Sequence, residues 1–186
     1  MKRLALLPLF ALALGACSRD TTTVTGPSRT PPPAPLFTTN FNKAPTGAHY
    51  AQDASEPVCT IDGLTISCTA SEIQGVGHTN ADLGLLVTYE ATVRCRNHGG
   101  KIVDVKTQLV DADAFDVDLA AKNGNLQVPS IDISSTEAPP EADFLVAATC
   151  PNPNWRKLLL EGTPAISSYS YTLTFDGFME PAITLP

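Results

Sequence analysis

From Leu83 to Arg96 the sequence alternates between two kinds of side chain. Leu85, Val87, Tyr89, Ala91, Val93 and Cys95 fall on one face, and Leu86, Thr88, Glu90, Thr92, Arg94 and Arg96 on the other. A period of two over this length specifies an extended strand with one face buried and one face wet. Tyr169, Tyr171, Leu173 and Phe175 repeat the pattern, with Ser168, Ser170, Thr172 and Thr174 opposite. Phe144, Val146, Ala148 and Cys150 give a third instance and are expected on another strand. Leu158-Leu159-Leu160 reads as a buried strand. Turn signals separate these runs: Asn97-His98-Gly99-Gly100, Lys122-Asn123-Gly124-Asn125, Pro139-Pro140 and Pro151-Asn152-Pro153-Asn154. No stretch combines helical periodicity with caps. The expected fold is all-β: an immunoglobulin-like antiparallel β-sandwich of about eight or nine strands.

The N-terminus has a different character. Lys2 and Arg3 precede an apolar run from Leu4 to Leu14, broken by Pro8 and followed by Gly15, Ala16 and Cys17. A positive start, a short apolar core and small residues before a cut are the layout of a secretory signal. An apolar stretch of about 11 residues falls short of the roughly 20 that a helix needs to span hydrocarbon. Leu14-Gly15-Ala16-Cys17 resembles the lipobox of bacterial lipoproteins. The resemblance implies cleavage before Cys17, a diacylglycerol on its sulfur and a third acyl chain on its amine. Each buried methylene contributes about 0.8 kcal/mol, and several chains make attachment effectively permanent. It also implies a cell-envelope location. Ser18 stands where an aspartate would signal inner-membrane retention, which favours the outer membrane in a two-membrane cell.

These features predict a signal peptide over 1–16, a tether over 17–49 and a β-sandwich domain over 50–186. The tether contains Thr21-Thr22-Thr23 and Pro31-Pro32-Pro33-Ala34-Pro35. Proline fixes its own backbone and pushes the preceding residue toward extended shapes. Too little apolar surface is present to offset the entropy of ordering. A disordered, partly polyproline spacer is expected, with Leu36, Phe37 and Phe41 as the residues that could dock on the domain instead.

With Cys17 lipidated, four cysteines remain, and an oxidising compartment lets them pair. Cys95 and Cys150 are both expected on inward strand faces and can meet across two sheets. Cys59 and Cys68 flank a hairpin. A type II′ turn at Gly63-Leu64 sets Asp62 opposite Thr65, Ile61 opposite Ile66 and Cys59 opposite Cys68. A loop at Asp62-Gly63 would place Cys59 opposite Ile66, so only the first register joins the sulfurs. The cysteine spacings are not those of a Cys-x-x-Cys zinc site.

A second resemblance is carried by Gly75-Val76-Gly77-His78, Cys95-Arg96-Asn97-His98-Gly99-Gly100 and Cys150-Pro151-Asn152-Pro153-Asn154-Trp155. Together they are similar to a pattern in small secreted all-β bacterial proteins that are uncharacterised. The likeness covers most of 72–174 and implies fold, without an activity. Where that group has Gly-Leu-Gly-Asn, this chain has Gly75-Val76-Gly77-His78.

Residues 50–186 hold seven Lys and Arg against eighteen Asp and Glu, a formal charge of −11. This argues against nucleic acid and against adhesion to anionic lipid. Asp111, Asp113, Asp116 and Asp118 could attract a hard cation, but the run lacks the central glycine and terminal glutamate of a calcium loop. A solvated strand edge is expected there. Gly75-Val76-Gly77 lacks the third glycine of a nucleotide loop. His49, His78 and His98 are scattered, and no Gly-x-Ser-x-Gly elbow is present. No catalytic residue, metal ligand or cofactor is assigned. Trp155, Tyr169 and Tyr171 could stack on sugar rings, but alternation turns both tyrosines inward and leaves Trp155 as the candidate.

The expected function is a lipid-anchored, non-catalytic envelope module, held to the membrane through Cys17, that binds a protein or polysaccharide or has a structural role. The alternatives are an envelope hydrolase with dispersed catalytic residues and a calcium-stabilised adhesion domain.

Overall fold

The structure is a computed structural model that describes residues 38–186. The expected signal peptide, Cys17 and the expected tether as far as Phe37 lie outside the described residues, as do the side chains of Ala112 and Asp113. Twelve strands and one α-helix follow in chain order. They are β1 (Thr38–Thr39), β2 (His49–Tyr50), β3 (Cys59–Asp62), β4 (Thr65–Cys68), β5 (Ser71–Gln74), β6 (Ala81–Arg96), β7 (Ile102–Leu119), β8 (Asn125–Val128) and β9 (Ile131–Ile133). Then come α1 (Glu141–Ala147), β10 (Arg156–Leu159), β11 (Ala165–Phe175) and β12 (Ile183–Leu185). The count exceeds eight or nine through short pieces such as β1, β2, β9 and β12.

The fold is an antiparallel all-β sandwich, and β6 is its axis. Burial alternates residue by residue along its 16 residues. One edge of β6 pairs with β7, from Ala81 opposite Leu119 to Arg96 opposite Ile102. The other edge is shared: β11 takes Ala81–Glu90 and β10 takes Val93–Arg96. β12 and then β1 extend the sheet beyond β11. Inner-face residues Leu83, Leu85, Val87, Tyr89, Tyr171 and Leu173 share one core with Ile66, Ile73, Leu126, Ile131 and Ile133 of the facing layer.

That facing layer consists of β3-β4-β9 and β2-β5-β8. The two parts keep step: Cys68 lies opposite Ile131 and Ser71 opposite Val128, so one antiparallel count runs through both. Pro129, which has no N–H to donate, falls in the gap between them. The β7–β8 connection turns through Asn123 and Gly124, both at positive φ, as a type I′ turn requires.

At Ser167 a bulge puts one extra residue into β11. Inward positions therefore move from Ile166 to Tyr169, and the expected face Tyr169, Tyr171, Leu173, Phe175 is buried.

Three expectations need correction. Phe144–Cys150 is not a strand: α1 occupies Glu141–Ala147, burying Phe144 and, one turn on, Ala148, while Val146 is 80% exposed. A spacing of four at the buried positions belongs to a helix. Glu141 and Asp143 in the first turn, after Pro140, suit the positive end of the helix dipole. Leu158 is on a strand but is 52% exposed, because it stands opposite Arg94 and shares that residue's outward face of the sheet. Finally, residues 38–49 belong to the fold and not to the tether. β1 pairs with β12, Ala44 is buried, and Phe41 meets Tyr50 edge to face at 5.2 Å between ring centroids. The Tyr50 hydroxyl lies 2.9 Å from Thr39 Oγ1. Burial pushes it up to about 12 despite that hydrogen bond. Gly75 fixes this docking: it sits at φ +76°, and a Cβ there would collide with the Gly47 carbonyl.

Candidate functional site

Both expected disulfides are present, Cys59–Cys68 and Cys95–Cys150. The first closes the β3–β4 hairpin in the register that a Gly63-Leu64 turn dictates. Gly63 has φ +60° and Leu64 has not crossed to positive φ, which defines type II′ over type I′. The second has the expected partners in a different setting. Cys150 follows α1 in a loop, so the bond ties the helix end to β6 and does not join strands of two sheets.

That bond underlies the most distinctive surface of the domain. Cys95 points inward and its neighbours Arg94 and Arg96 point outward. Across the strands, Arg96 stands between Arg156 on β10 and Ile102 on β7. One row along, Arg94 stands between Leu158 and Asp104. All three arginines of the described residues thus line one hollow of about 280 Å³, with Ile102 and Leu158 as its apolar wall. Arg94 is engaged: its Nε and Nη2 donate to Asp104 at 2.8 and 2.9 Å. The same hydrogen bonds, reinforced by charge, hold the Asp104 carboxyl below its ordinary range. Arg96 and Arg156 have no ion pair among the described residues. Like charges directly opposite on neighbouring strands destabilise a sheet.

A second hollow, of about 430 Å³, adjoins the first and shares Arg96 and Arg156. Asn97, His98, Asn154 and Trp155 complete it. Trp155, the only tryptophan in the chain, is half-buried. The Pro151–Asn154 turn positions it: Trp155 N–H donates to the Asn152 carbonyl at 3.1 Å, and Asn154 N–H to Asn152 Oδ1 at 2.9 Å. Across the hollow, Asn97 Oδ1 accepts from Lys101 N–H at 2.7 Å and fixes the β6–β7 turn.

The opposite end of the same outer face is acidic. Asp82 lies across from Asp118, and Asp116 across from Gly84. The Asp82 carboxyl is raised above its ordinary value, first by a hydrogen bond shared with Asp118, then by burial and by the charges of Asp118, Asp176 and Asp116. Among the described residues no three His, Cys, Asp or Glu side chains are grouped to hold a metal ion.

Asp111 departs from the expected solvent-facing position. It lies opposite Val87 on the inner-face count and is half-buried. Asp116 stands opposite Gly84 on the outer-face count, and a register irregularity between the partners of Leu85 and Val87 separates it from Asp111. With Glu137, Asp111 borders an open groove of about 500 Å³ between β7 and α1, whose apolar lining includes Leu109, Pro139 and Val146. Burial, then Asp111 and Glu137, raise the nearby Tyr89 hydroxyl above its ordinary value.

His49 hydrogen-bonds the Gly47 carbonyl at 2.8 Å. None of the three histidines hydrogen-bonds a serine or a carboxylate among the described residues. Trp155 stands out in the sequence as a candidate, whereas the arginine cluster does not. Arg94 and Arg96 were visible as an outward pair, whereas the strand pairing that brings Arg156 beside them was not.

The class this architecture defines is the disulfide-linked antiparallel β-sandwich with one sheet end covered by a helix. Compared with protein-family models, with curated proteins and with solved structures, the chain matches none.

Proposed function

We propose that this protein is a lipid-anchored module of the bacterial cell envelope, held to a membrane by acyl chains on Cys17, whose β-sandwich binds an envelope protein or polysaccharide without catalysis. The observation that carries the reading is the cysteine distribution. Four of five cysteines form two disulfides, which persist in an oxidising compartment. The remaining one, Cys17, is the residue at which the lipobox resemblance ends. Ser18 after it favours the outer membrane where a cell has two. Among the described residues no helix is long and apolar enough to cross a membrane. An anchored domain with an arginine- and tryptophan-lined surface suits recognition.

The test is cellular. Fatty-acid labelling should mark the wild-type chain, and Cys17→Ala should lose both the label and membrane sedimentation. A Cys17→Ala protein that still sediments with membranes would refute the anchor.

A further inference from the structure

We propose that the arginine end of the outer sheet face is a binding site for an anionic sugar. In it Arg96 and Arg156 clamp one oxyanion group, a carboxylate or a phosphate, and Trp155 stacks on the ring. The proposal rests on the reading of the domain as a binding module and names its ligand class.

Three observations converge. The described residues carry eight Lys and Arg against eighteen Asp and Glu, yet every arginine among them lines one hollow. Two of these, Arg96 and Arg156, face each other across paired strands without a carboxylate between them. That juxtaposition opposes folding, and an oxyanion between the two guanidiniums would convert repulsion into two charge-assisted, potentially bidentate contacts. Side chains placed against stability mark sites whose benefit lies elsewhere.

The second hollow specifies the rest of the ligand. It shares both arginines and adds Trp155 with Asn97, Asn154 and His98. A tryptophan face takes the apolar side of a sugar ring, and amide and imidazole groups exchange hydrogen bonds with ring hydroxyls. Hollows of about 280 and 430 Å³ suit one or two rings. The remainder of the domain limits the ligand's charge. Asp82, Asp116, Asp118 and Asp176 cluster at the far end of this same face. A polyanion running along the sheet would meet them, so the fitting ligand carries its charge at one residue of an otherwise neutral glycan.

Trp155 makes the site self-reporting, because intrinsic tryptophan fluorescence comes from this position alone. The full-length protein in nonionic detergent is titrated with digalacturonate, glucose 6-phosphate, maltotriose and sodium sulfate. Saturable fluorescence changes are expected with digalacturonate or glucose 6-phosphate; which of the two binds more tightly identifies the oxyanion. Maltotriose and sulfate should bind at least about tenfold more weakly. Arg96→Gln and Arg156→Gln should each weaken binding about tenfold or more, with Tm unchanged or raised, while Lys122→Gln leaves affinity unchanged. An unchanged or higher Tm separates a lost ligand contact from a damaged fold. The site is overturned if neither anionic sugar binds by ~10 mM, if both arginine variants bind as wild type does, or if sulfate matches the sugars. Release of new reducing ends from digalacturonate would refute the non-catalytic reading and uphold the site. Membrane attachment is read separately, through Cys17→Ala.

Discussion

Along β6, inner-face residues from Ala81 to Tyr89 pack with the facing sheet, whereas Cys95 is bonded to the loop that follows α1. The strand itself does not change. Its burial alternates without a break from Ala81 to Cys95, so both ends make the same demand for an apolar cover. At about 3.3 Å per residue, 16 residues extend some 50 Å, while β4 and β5 contribute four residues each. The facing layer runs short, and a seven-residue helix packing on β6, β7 and β10 covers what it leaves. The outer face diverges as well: carboxylates crowd the sheet-covered end and arginines the helix-covered end. One lesson is that a helix too short to be stable alone is held by packing and a cross-link. Another is that the covalent tie sits beneath the surface we assign to binding, where Arg96 and Trp155 need fixed positions.

The comparison breaks most readily at the disulfide. Replacing Cys95 and Cys150 together by serine should cost about 4 kcal/mol by the chain-entropy argument for a 55-residue separation. Hydrogen exchange should accelerate in α1 and β10 and stay slow in β4 and β5. Uniform acceleration would mean that the two ends form one cooperative unit. At the other end, Gly75→Ala should cost about 3 kcal/mol, because it combines a positive φ with a collision against the Gly47 backbone. Urea unfolding measures the loss, and exchange should rise first in β2 and β5. Protection that falls in α1 instead would contradict the division.

A smaller effect sharpens the charge contrast. Because the folded-state pKa of Asp82 is raised, its contribution to stability is fully present below the unfolded value and is lost as pH rises through the folded one. Asp82→Asn should therefore stabilise the domain at pH 7 by no more than ~0.5 kcal/mol, because solvent screens so exposed a cluster, less in high salt, and have no effect at pH 3. Equal Tm values at pH 7 would show that solvent already screens the cluster.

Much of the fold was legible because β6, and β11 beyond its bulge from Ser168 to Phe175, carry their burial pattern as strict alternation, and a period of two has one structural meaning. The Cys59–Cys68 register was legible because Gly63 permits one two-residue turn that aligns the sulfurs. What escaped did so for local reasons. Seven residues of α1 span barely two turns, too few for periodicity to separate Phe144-Val146-Ala148 from a strand. Its signal was the acidic first turn after Pro139-Pro140. The docking of 38–49 depends on Gly47 and Gly75 meeting backbone to backbone, a contact between positions 28 residues apart. Proline and threonine content upstream masked it.

The cysteine count, the faces of β6 from Leu85 to Arg96, the hairpin register and the export-like N-terminus follow from the sequence alone, because each depends on neighbours within a few residues. Tertiary structure alone decided that Arg156 stands beside Arg96, that Trp155 joins them and that a helix closes the sheet. Those arrangements depend on which strands share an edge of β6, and a pairing between distant segments leaves no periodic trace in either one.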